Sequence, residues 1–195
     1  VSLNFDYILG SGTLTATSAW RYWNWDPSND RDFTGLQALR LSQATSRHQH
    51  WSQEVRWAGS LSSKVTGVFG VFVFGQELNS DPVHIEESGN AQWRFSQSST
   101  SSLWATPGLF DGYGIKTTQK LNTLSAAAFS QIDWAITKRL SVLPGLRFNY
   151  DDKSVNFKRE TYGGLETTDP ALIALKNLVY TNQAFDAQID DTNLS

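Results

Sequence analysis

Cysteine and methionine are both absent from this 195-residue sequence. Without cysteine, the chain has no disulfide framework and no thiolate metal site. Basic residues are not in excess either, because the formal net charge is −3, and this excludes the basic footprint of a nucleic-acid-binding protein. No apolar run approaches the roughly 18 residues that a transmembrane helix requires.

Aromatic residues, in contrast, are abundant. They make up 13% of the chain and include eight Trp, which is a high content for a soluble domain of this size. The mean hydropathy is negative, at −0.37. A negative mean does not exclude a membrane location, because the strands of a membrane barrel alternate between apolar and polar residues. Whether the chain is a membrane protein must therefore be judged from the pattern of apolar and polar residues along it.

The clearest alternation lies in residues 124–151. In its first half, one parity carries no charge and consists of Leu124, Ala126, Ala128, Ser130, Ile132, Trp134 and Ile136. In its second half, Val142, Leu146, Phe148 and Tyr150 share one face, and Arg147, Asn149 and Asp151 share the other. Each half has about ten residues or more, enough to cross a bilayer as a tilted strand, whereas soluble strands average about five or six. The pattern predicts a membrane β-hairpin with its turn at 137–140.

The rest of the chain extends this prediction to about seven antiparallel strands. The other strands are expected near 1–9, 13–25, 51–57, 65–76 and 185–195. Connections alternate between short (10–12, 59–64 and 137–140) and long (26–49, 77–122 and 152–184), which is typical of up-and-down membrane barrels with long extracellular loops. The second long connection contains a Ser, Thr and Gln-rich run at 96–102, a composition typical of flexible segments. In the third, Asp169 and Pro170 predict the start of a short helix.

The predicted fold class is therefore all-β, an up-and-down antiparallel membrane β-barrel segment that forms an open, curved sheet when taken alone. Its expected open edges are the first and last strands. Because Val1 is already in strand register and the chain stops within a strand, we expect residues 1–195 to form a partial transmembrane β-barrel domain. In the six complete strands the charges fall on the polar parity, and they are Asp6, Arg21, Glu54, Arg56, Asp133, Arg147 and Asp151. A soluble sandwich would also keep charges off its buried face.

Aromatic residues occur where a membrane-interface girdle would require them. The girdle prediction comprises Trp20, Tyr22, Trp51, Trp57, Trp134, Phe148 and Tyr150. Trp23 and Trp25 share the end of the second strand, and Phe148 and Tyr150 are expected beside a long loop. An ordinary hydrophobic core is the alternative interpretation of these residues.

Four segments resemble the barrel of TonB-dependent outer-membrane receptors: residues 13–36, 50–59, 65–78 and 143–153. The most specific of them contains WSQEVRWAG, which is similar to the F-[ST]-Q-E-[LV]-R strand of that family. The resemblance covers nearly the whole chain and implies a barrel of about 22 strands with a plugged lumen. It also implies a Gram-negative outer-membrane location and energised uptake of a scarce ligand such as a ferric siderophore. The sequence itself shows no TonB box, no plug domain and no terminal barrel strand.

The resemblance further implies which face of the strands contacts lipid and which face lines the lumen. The uncharged faces would contact outer-membrane lipid, and the polar faces would line the lumen and contact the plug or the ligand. The lumen prediction comprises Asp6, Arg21, Glu54, Arg56, Gln131, Asp133, Arg147 and Asn149. Val68, Phe72 and Phe74 form a second apolar row on the fourth strand and are expected to contact the plug. TonB would act through the missing N-terminal region, and no catalytic residue, metal, cofactor or nucleic-acid partner is expected.

Alternative functions remain open from the residues alone. A passive porin would share the strands and loops, and a secreted β-sandwich could bind carbohydrate through exposed Trp. The segment from Asp30 to Thr34 matches the D-x-D-x-T motif of haloacid-dehalogenase-type phosphatases, but no apolar parallel strand precedes it. Read as a calcium loop, the same segment places Leu41 where a bidentate Glu is needed. His48 and His50 have the spacing to bind a transition metal together with a third ligand. His84, Glu86 or Glu87 could supply that ligand only if two of the long loops meet.

Overall fold

The computed structural model describes residues 1–80, 84–90, 103 and 105–195. The Ser, Thr and Gln-rich run predicted at 96–102 lies outside these residues. Within them, the structure has eleven strands and one helix, α1 (Pro170–Val179). The strands are β1 (Ser2–Leu9), β2 (Gly12–Trp25), β3 (Ser28–Asn29), β4 (Leu41–Ala44), β5 (Ser46–Ser62), β6 (Val65–Asn79), β7 (His84–Glu87), β8 (Gly114–Thr137), β9 (Leu140–Val142), β10 (Gly145–Tyr162) and β11 (Gln183–Leu194).

Seven of these strands are long, and they form a single antiparallel sheet in the order β1-β2-β5-β6-β8-β10-β11. Each long strand therefore pairs with the next long strand along the chain. Within the described part of the chain, β1 and β11 are the open edges of this sheet. The predicted fold class, an open antiparallel segment of about seven strands, is confirmed.

The strands extend further than the sequence predicted. The connection predicted at 26–49 contains β3, β4 and the start of β5, and the connection predicted at 77–122 contains β7 and the first residues of β8. The turn predicted at 59–64 is shorter, because β5 continues to Ser62 and β6 begins at Val65. These bounds were wrong because strand segments beyond the apolar face lack the continuous apolar parity on which the prediction relied.

Strand β8 changes partner along its length. Its C-terminal part pairs with β6, from Asn79 opposite Lys120 to Val65 opposite Trp134. Its N-terminal part pairs instead with β7, which continues through β4 to β3. A small sheet built from the long connections is therefore continuous with the main sheet.

Helix α1 begins where the sequence predicts. Asp169 is the N-cap, and its side chain accepts a hydrogen bond from the Ala171 amide at 2.8 Å. Pro170 occupies the first turn, where it sacrifices no helical hydrogen bond. The helix packs against Leu109, Phe110 and Tyr113 through side chains that include Leu172, Leu175 and Val179.

Buried side chains are concentrated in the long connections and not in the main sheet. Among the described residues, the buried hydrophobic ones are Leu109, Phe110, Tyr113, Ile115 and Ala127. Only Ala127 of these lies opposite β6, in the part of β8 that belongs to the main sheet. The main sheet therefore has a single layer here, and the described residues form no two-layer sandwich.

Candidate functional site

One face of the main sheet carries an uncharged band that crosses all seven long strands. The register aligns a row that takes one residue from each long strand: Phe5, Ala16, Val55, Val71, Ala128, Phe148 and Leu194. The next row on this face consists of Tyr7, Leu14, Trp57, Phe69, Ser130 and Leu146. Phe5 is 60% exposed and Val71 is 53% exposed, so the described residues do not cover this face. We call it the apolar face.

The uncharged band on this face is inclined to the rows of paired residues. Trp20, Trp51 and Leu124 belong to one row, and the same row reaches Asp152 and Asp190 on β10 and β11. Towards the short turns, the band on β8 continues as far as Ile136. This residue lies beyond the level of Gly12, where β2 begins. A band that shifts along successive strands is the pattern expected when strands tilt relative to the surrounding apolar layer.

All seven residues of the girdle prediction lie on the apolar face. Trp20 is paired with Trp51 near the ends that lead into the long connections. Trp57 lies near the short turns, where its indole Nε1 donates to the Leu9 carbonyl at 3.2 Å. Trp134 is paired with Val65, also near a short turn. Aromatic residues therefore occur towards both ends of the strands, and their contact with a membrane interface stays a prediction.

One expectation about the aromatic residues was wrong. Phe148 does not lie beside a long connection, because β10 continues to Tyr162 and places Phe148 in the central row of the apolar face. Trp23 lies on the face opposite Trp20, where it is paired with His48. Trp25 shares that opposite face and stacks on Trp23 with ring centroids 6.0 Å apart.

The eight residues of the lumen prediction all lie on the face opposite the apolar face, which we call the polar face. Asp6, Arg56 and Arg147 belong to a single row of paired positions. The next row contains Glu54 and Asn149, and the other three members are Arg21, Gln131 and Asp133. The strand pairing thus collects these residues on one surface, while their contact with a plug or a ligand stays a prediction.

Short-range contacts join several of these polar side chains. Arg147 Nε donates to Asn149 Oδ1 at 2.6 Å, and Arg56 lies 3.8 Å from the carboxylate of Glu54. The hydroxyl of Thr15 donates to Asp6 Oδ1 at 2.6 Å. A surface that carries both signs of charge needs no catalytic explanation.

The second apolar row of β6 lies within this polar face. Phe72 is paired with Glu54 on one side and Ala127 on the other, and Phe74 lies beside His50 with ring centroids 5.9 Å apart. These rings, with Val68, interrupt the charged surface. Their proposed contact with a plug is not tested by the residues described.

The two faces exchange character beyond the uncharged band. On the polar face, the residues nearer the long connections are apolar and include Leu121, Val155, Phe157 and Phe185. On the opposite face at the same height lie Lys120, Asn122, Asn156 and Asp186. This exchange was not predicted, because residues 120–122 and 155–157 were expected to lie in long connections and not in strands. The change of parity within one strand was the available signal.

The long connections form an ordered cap at this end of the sheet. Arg31 and Tyr180 both contact Glu86, and Tyr162 donates its phenol hydrogen to Glu87 at 2.6 Å. Burial, followed by the Glu87 carboxylate as acceptor, raises the pKa of the Tyr162 phenol far above its usual value. Burial also raises the pKa of Tyr113, whose hydroxyl donates to the Tyr180 carbonyl at 3.1 Å. These phenols stay protonated and act as hydrogen-bond donors.

The acidic segment near Asp30 organises its own loop. Asp32 accepts hydrogen bonds from the Leu39 and Thr34 amides, both at 2.9 Å, and these bonds lower the pKa of its carboxyl group. Hydrogen bonds from Thr45 and Gln43 likewise lower the pKa of Asp26. The strands around this segment are antiparallel, so the parallel strand that a phosphatase motif requires is not found there.

The candidate metal ligands do not converge. His48 makes an edge contact with Trp23, and its Nδ1 lies 3.3 Å from Gln76 Nε2. His84 lies on β7, which pairs with β4 and β8 and not with the β5 strand that carries the other two histidines. Within residues 1–80, 84–90, 103 and 105–195, no three His, Cys, Asp or Glu side chains are placed to hold a metal ion.

No helix in the described part of the chain is long and apolar enough to cross a membrane. The long antiparallel strands form an open sheet with the fold of a β-barrel segment. In structure, the chain is similar to the ferric yersiniabactin uptake receptor FyuA from Yersinia pestis. The TM-score is 0.64 at 17% sequence identity, and the match covers 99% of this chain and 23% of that chain. No known family pattern and no curated protein matches the sequence.

Proposed function

We propose that the chain is part of the barrel of an outer-membrane TonB-dependent receptor that takes up a scarce ligand such as a ferric siderophore. Residues 1–195 would form a partial transmembrane domain, with the plug domain and the remaining strands supplied by other parts of the protein. The similarity to an uptake receptor supports this proposal at the level of fold. It also favours a transport role over an enzymatic one.

The observation that carries the proposal is the exposed apolar face. Its central row joins all seven long strands without one charged or hydrogen-bonding side chain. Contiguous exposed apolar surface on this scale marks a surface that meets lipid or another protein. Lipid is the better explanation, because aromatic residues lie towards both ends of the strands and the band is inclined as strand tilt requires.

In this proposal the polar face and the cap contact the plug and the ligand. The polar face lines the lumen and contacts the plug, and the cap forms part of the extracellular surface where the ligand is captured. Energy would reach the plug through TonB, which engages the N-terminal region of the receptor.

The full-length protein tests the proposal directly. In a Gram-negative host it should fractionate with the outer membrane and support uptake of radioactive iron under iron limitation, supplied as ferric complexes of a hydroxamate and a catecholate siderophore. Uptake should disappear when the tonB gene of the host is deleted.

Two outcomes would contradict the proposal. Recovery of the protein in a soluble fraction would remove the lipid explanation for the apolar face. Diffusive permeation of small solutes through the protein in liposomes, unaffected by loss of TonB, would instead identify a passive porin. The two results are distinguishable because the porin would still be found in the outer membrane.

A further inference from the structure

Two consecutive glutamates occupy the centre of the cap. Glu86 and Glu87 end the short strand β7, so their side chains point to opposite faces of that strand. Both side chains are largely buried, with 16% and 11% of their surface exposed. We define the first loop as residues 26–45, the second as the described residues from 80 to 113, and the third as residues 162–182, which begins with the last residue of β10. The two glutamates belong to the second loop.

Glu86 divides its carboxylate between the other two loops. Arg31 of the first loop donates from Nη1 to Glu86 Oε2 at 2.5 Å. The hydroxyl of Tyr180, at the C-terminal end of α1 in the third loop, donates to Glu86 Oε1. Each oxygen therefore serves a different loop.

Glu87 repeats this arrangement on the other face of β7. Arg40 of the first loop donates from Nε to Glu87 Oε1 at 2.5 Å. The hydroxyl of Tyr162 donates to Glu87 Oε2 at 2.6 Å, and this tyrosine is the last residue of β10, where the third loop begins. Hydrogen bonds to ionised groups are the strong ones. Here the two carboxylates are largely buried, whereas Arg31 and Arg40 are about half exposed, at 54% and 55%.

Backbone hydrogen bonds place the second loop between its neighbours. The Gly89 amide donates to the Ala38 carbonyl of the first loop at 3.1 Å. The Leu165 amide of the third loop donates to the Leu109 carbonyl at 3.3 Å. The first and third loops are thus connected through the second loop, and the two carboxylates carry the side-chain part of that connection.

We propose that Glu86 and Glu87, through β7, couple the first loop to the third loop, so that the first loop and α1 loosen together. A single shared carboxylate would leave the loops free to pivot about it. A second carboxylate on the opposite face of the same strand prevents that rotation. An event at the first loop is then transmitted to the third loop through these two carboxylates.

Hydrogen exchange on the full-length receptor in lipid vesicles tests the coupling without any ligand. The double variant Arg31→Gln/Arg40→Gln changes only the first loop, and the measured amides are those of α1 in the third loop. Loss of hydrogen bonds to charged groups should lower their protection by about tenfold or more. Each single variant should give a smaller change, because one carboxylate still connects the loops.

Lys120→Gln is the matched control. It breaks the Lys120–Glu77 ion pair at 2.9 Å, which lies between β8 and β6 and outside the cap, so α1 should keep its protection. Faster exchange confined to the first loop of the double variant would show that the loops move independently and would overturn the proposal. If that variant does not fold, Tyr162→Phe/Tyr180→Phe provides the reverse test, with the first-loop amides as readout. Uptake is not measured here, so failure of transport and failure of coupling are separate results.

Discussion

Trp20 lies directly opposite Trp51 on the apolar face, whereas Trp23, three residues further along the same strand, lies opposite His48 on the other face. The two tryptophans of β2 are similarly exposed, at 45% and 50%. Their environments should differ nevertheless, because successive strand residues point to opposite sides of the sheet. Comparing Trp20 with Trp23 therefore tests whether only the apolar face contacts lipid, or whether exposed aromatic residues on both faces behave alike.

Quenching by brominated lipid should therefore distinguish the two indoles. In vesicles containing lipid with bromine on the acyl chains, we expect fluorescence of Trp20 to be quenched and fluorescence of Trp23 to be largely preserved. The measurement compares Trp20→Phe with Trp23→Phe in the full-length receptor, and the loss of quenchable signal should be confined to Trp20→Phe. Equal losses in the two variants would contradict the assignment of the apolar face to lipid.

The main sheet was largely predictable because its physical signal is local. An uncharged parity persists along Leu124–Ile136 and again along Leu14–Tyr22, and any stretch of one strand displays it without knowledge of its partners. The same signal placed all eight residues of the lumen prediction on one face, since parity alone decides that side. The position of Phe148 was missed because height along a strand depends on where the strand ends.

The cap could not be predicted from such a signal. Tyr180 and Glu86 are 94 residues apart in sequence, and Tyr162 and Glu87 are 75 apart. Neither pair belongs to a recurring motif, and the cap strands β4 and β7 are too short to show a period. The pairing of β8 with both β7 and β10 brings Tyr162 to Glu87, and the packing of α1 against the cap brings Tyr180 to Glu86.

A charge introduced on the apolar face should be costly, and its immediate neighbour provides the control. Ala16 belongs to the central row, and Thr17 points to the polar face, opposite Glu54. Ala16→Lys should lower the free energy of unfolding by about 2–4 kcal/mol, the cost of a lysine at mid-depth in the bilayer. Urea titration of the receptor in vesicles measures this change.

Thr17→Lys should change stability by no more than about 0.5 kcal/mol, because the new ammonium group faces a carboxylate and not hydrocarbon. Equal destabilisation by the two substitutions would mean that both faces meet the same medium. That result would be incompatible with a membrane-spanning sheet.

Gly75 should not accept a side chain while Trp51 keeps its position. A Cβ atom at residue 75 would lie 2.5 Å from Trp51 Nε1 and 2.7 Å from its Cε2 atom, well inside van der Waals contact. We expect Gly75→Ala to displace the indole and to destabilise the sheet by about 1–3 kcal/mol, the usual cost of overpacking. In a Trp51→Leu background the penalty should shrink, which a double-mutant cycle of unfolding free energies measures.

Gly145→Ala is the control for this prediction. Its added Cβ would meet the Ser130 carbonyl oxygen at 3.5 Å, an ordinary contact, so little loss of stability is expected. An unchanged penalty for Gly75→Ala after removal of the indole would place the cause in the backbone and not in the Trp51 ring.

Acidification should loosen the first loop only below the usual titration range of aspartate. Hydrogen bonds from the Leu39 amide and from Thr34 lower the folded pKa of Asp32. A lowered folded pKa contributes stability that is fully present above the unfolded value, about 4, and is lost as the pH falls through the folded value. A spin label at Leu36→Cys, on an exposed part of this loop, should therefore become mobile with a midpoint below about pH 4.

The variant Asp32→Asn isolates the contribution of the Asp32 carboxyl group to this acid transition. The asparagine amide cannot accept all the hydrogen bonds that the carboxylate receives, so the label should already be mobile at neutral pH and should show no acid transition of its own. A second label at Leu178→Cys, on the exposed side of α1, reports whether the third loop loosens at the same pH. A midpoint at or above the usual aspartate value would mean that these hydrogen bonds do not stabilise the ionised carboxyl group.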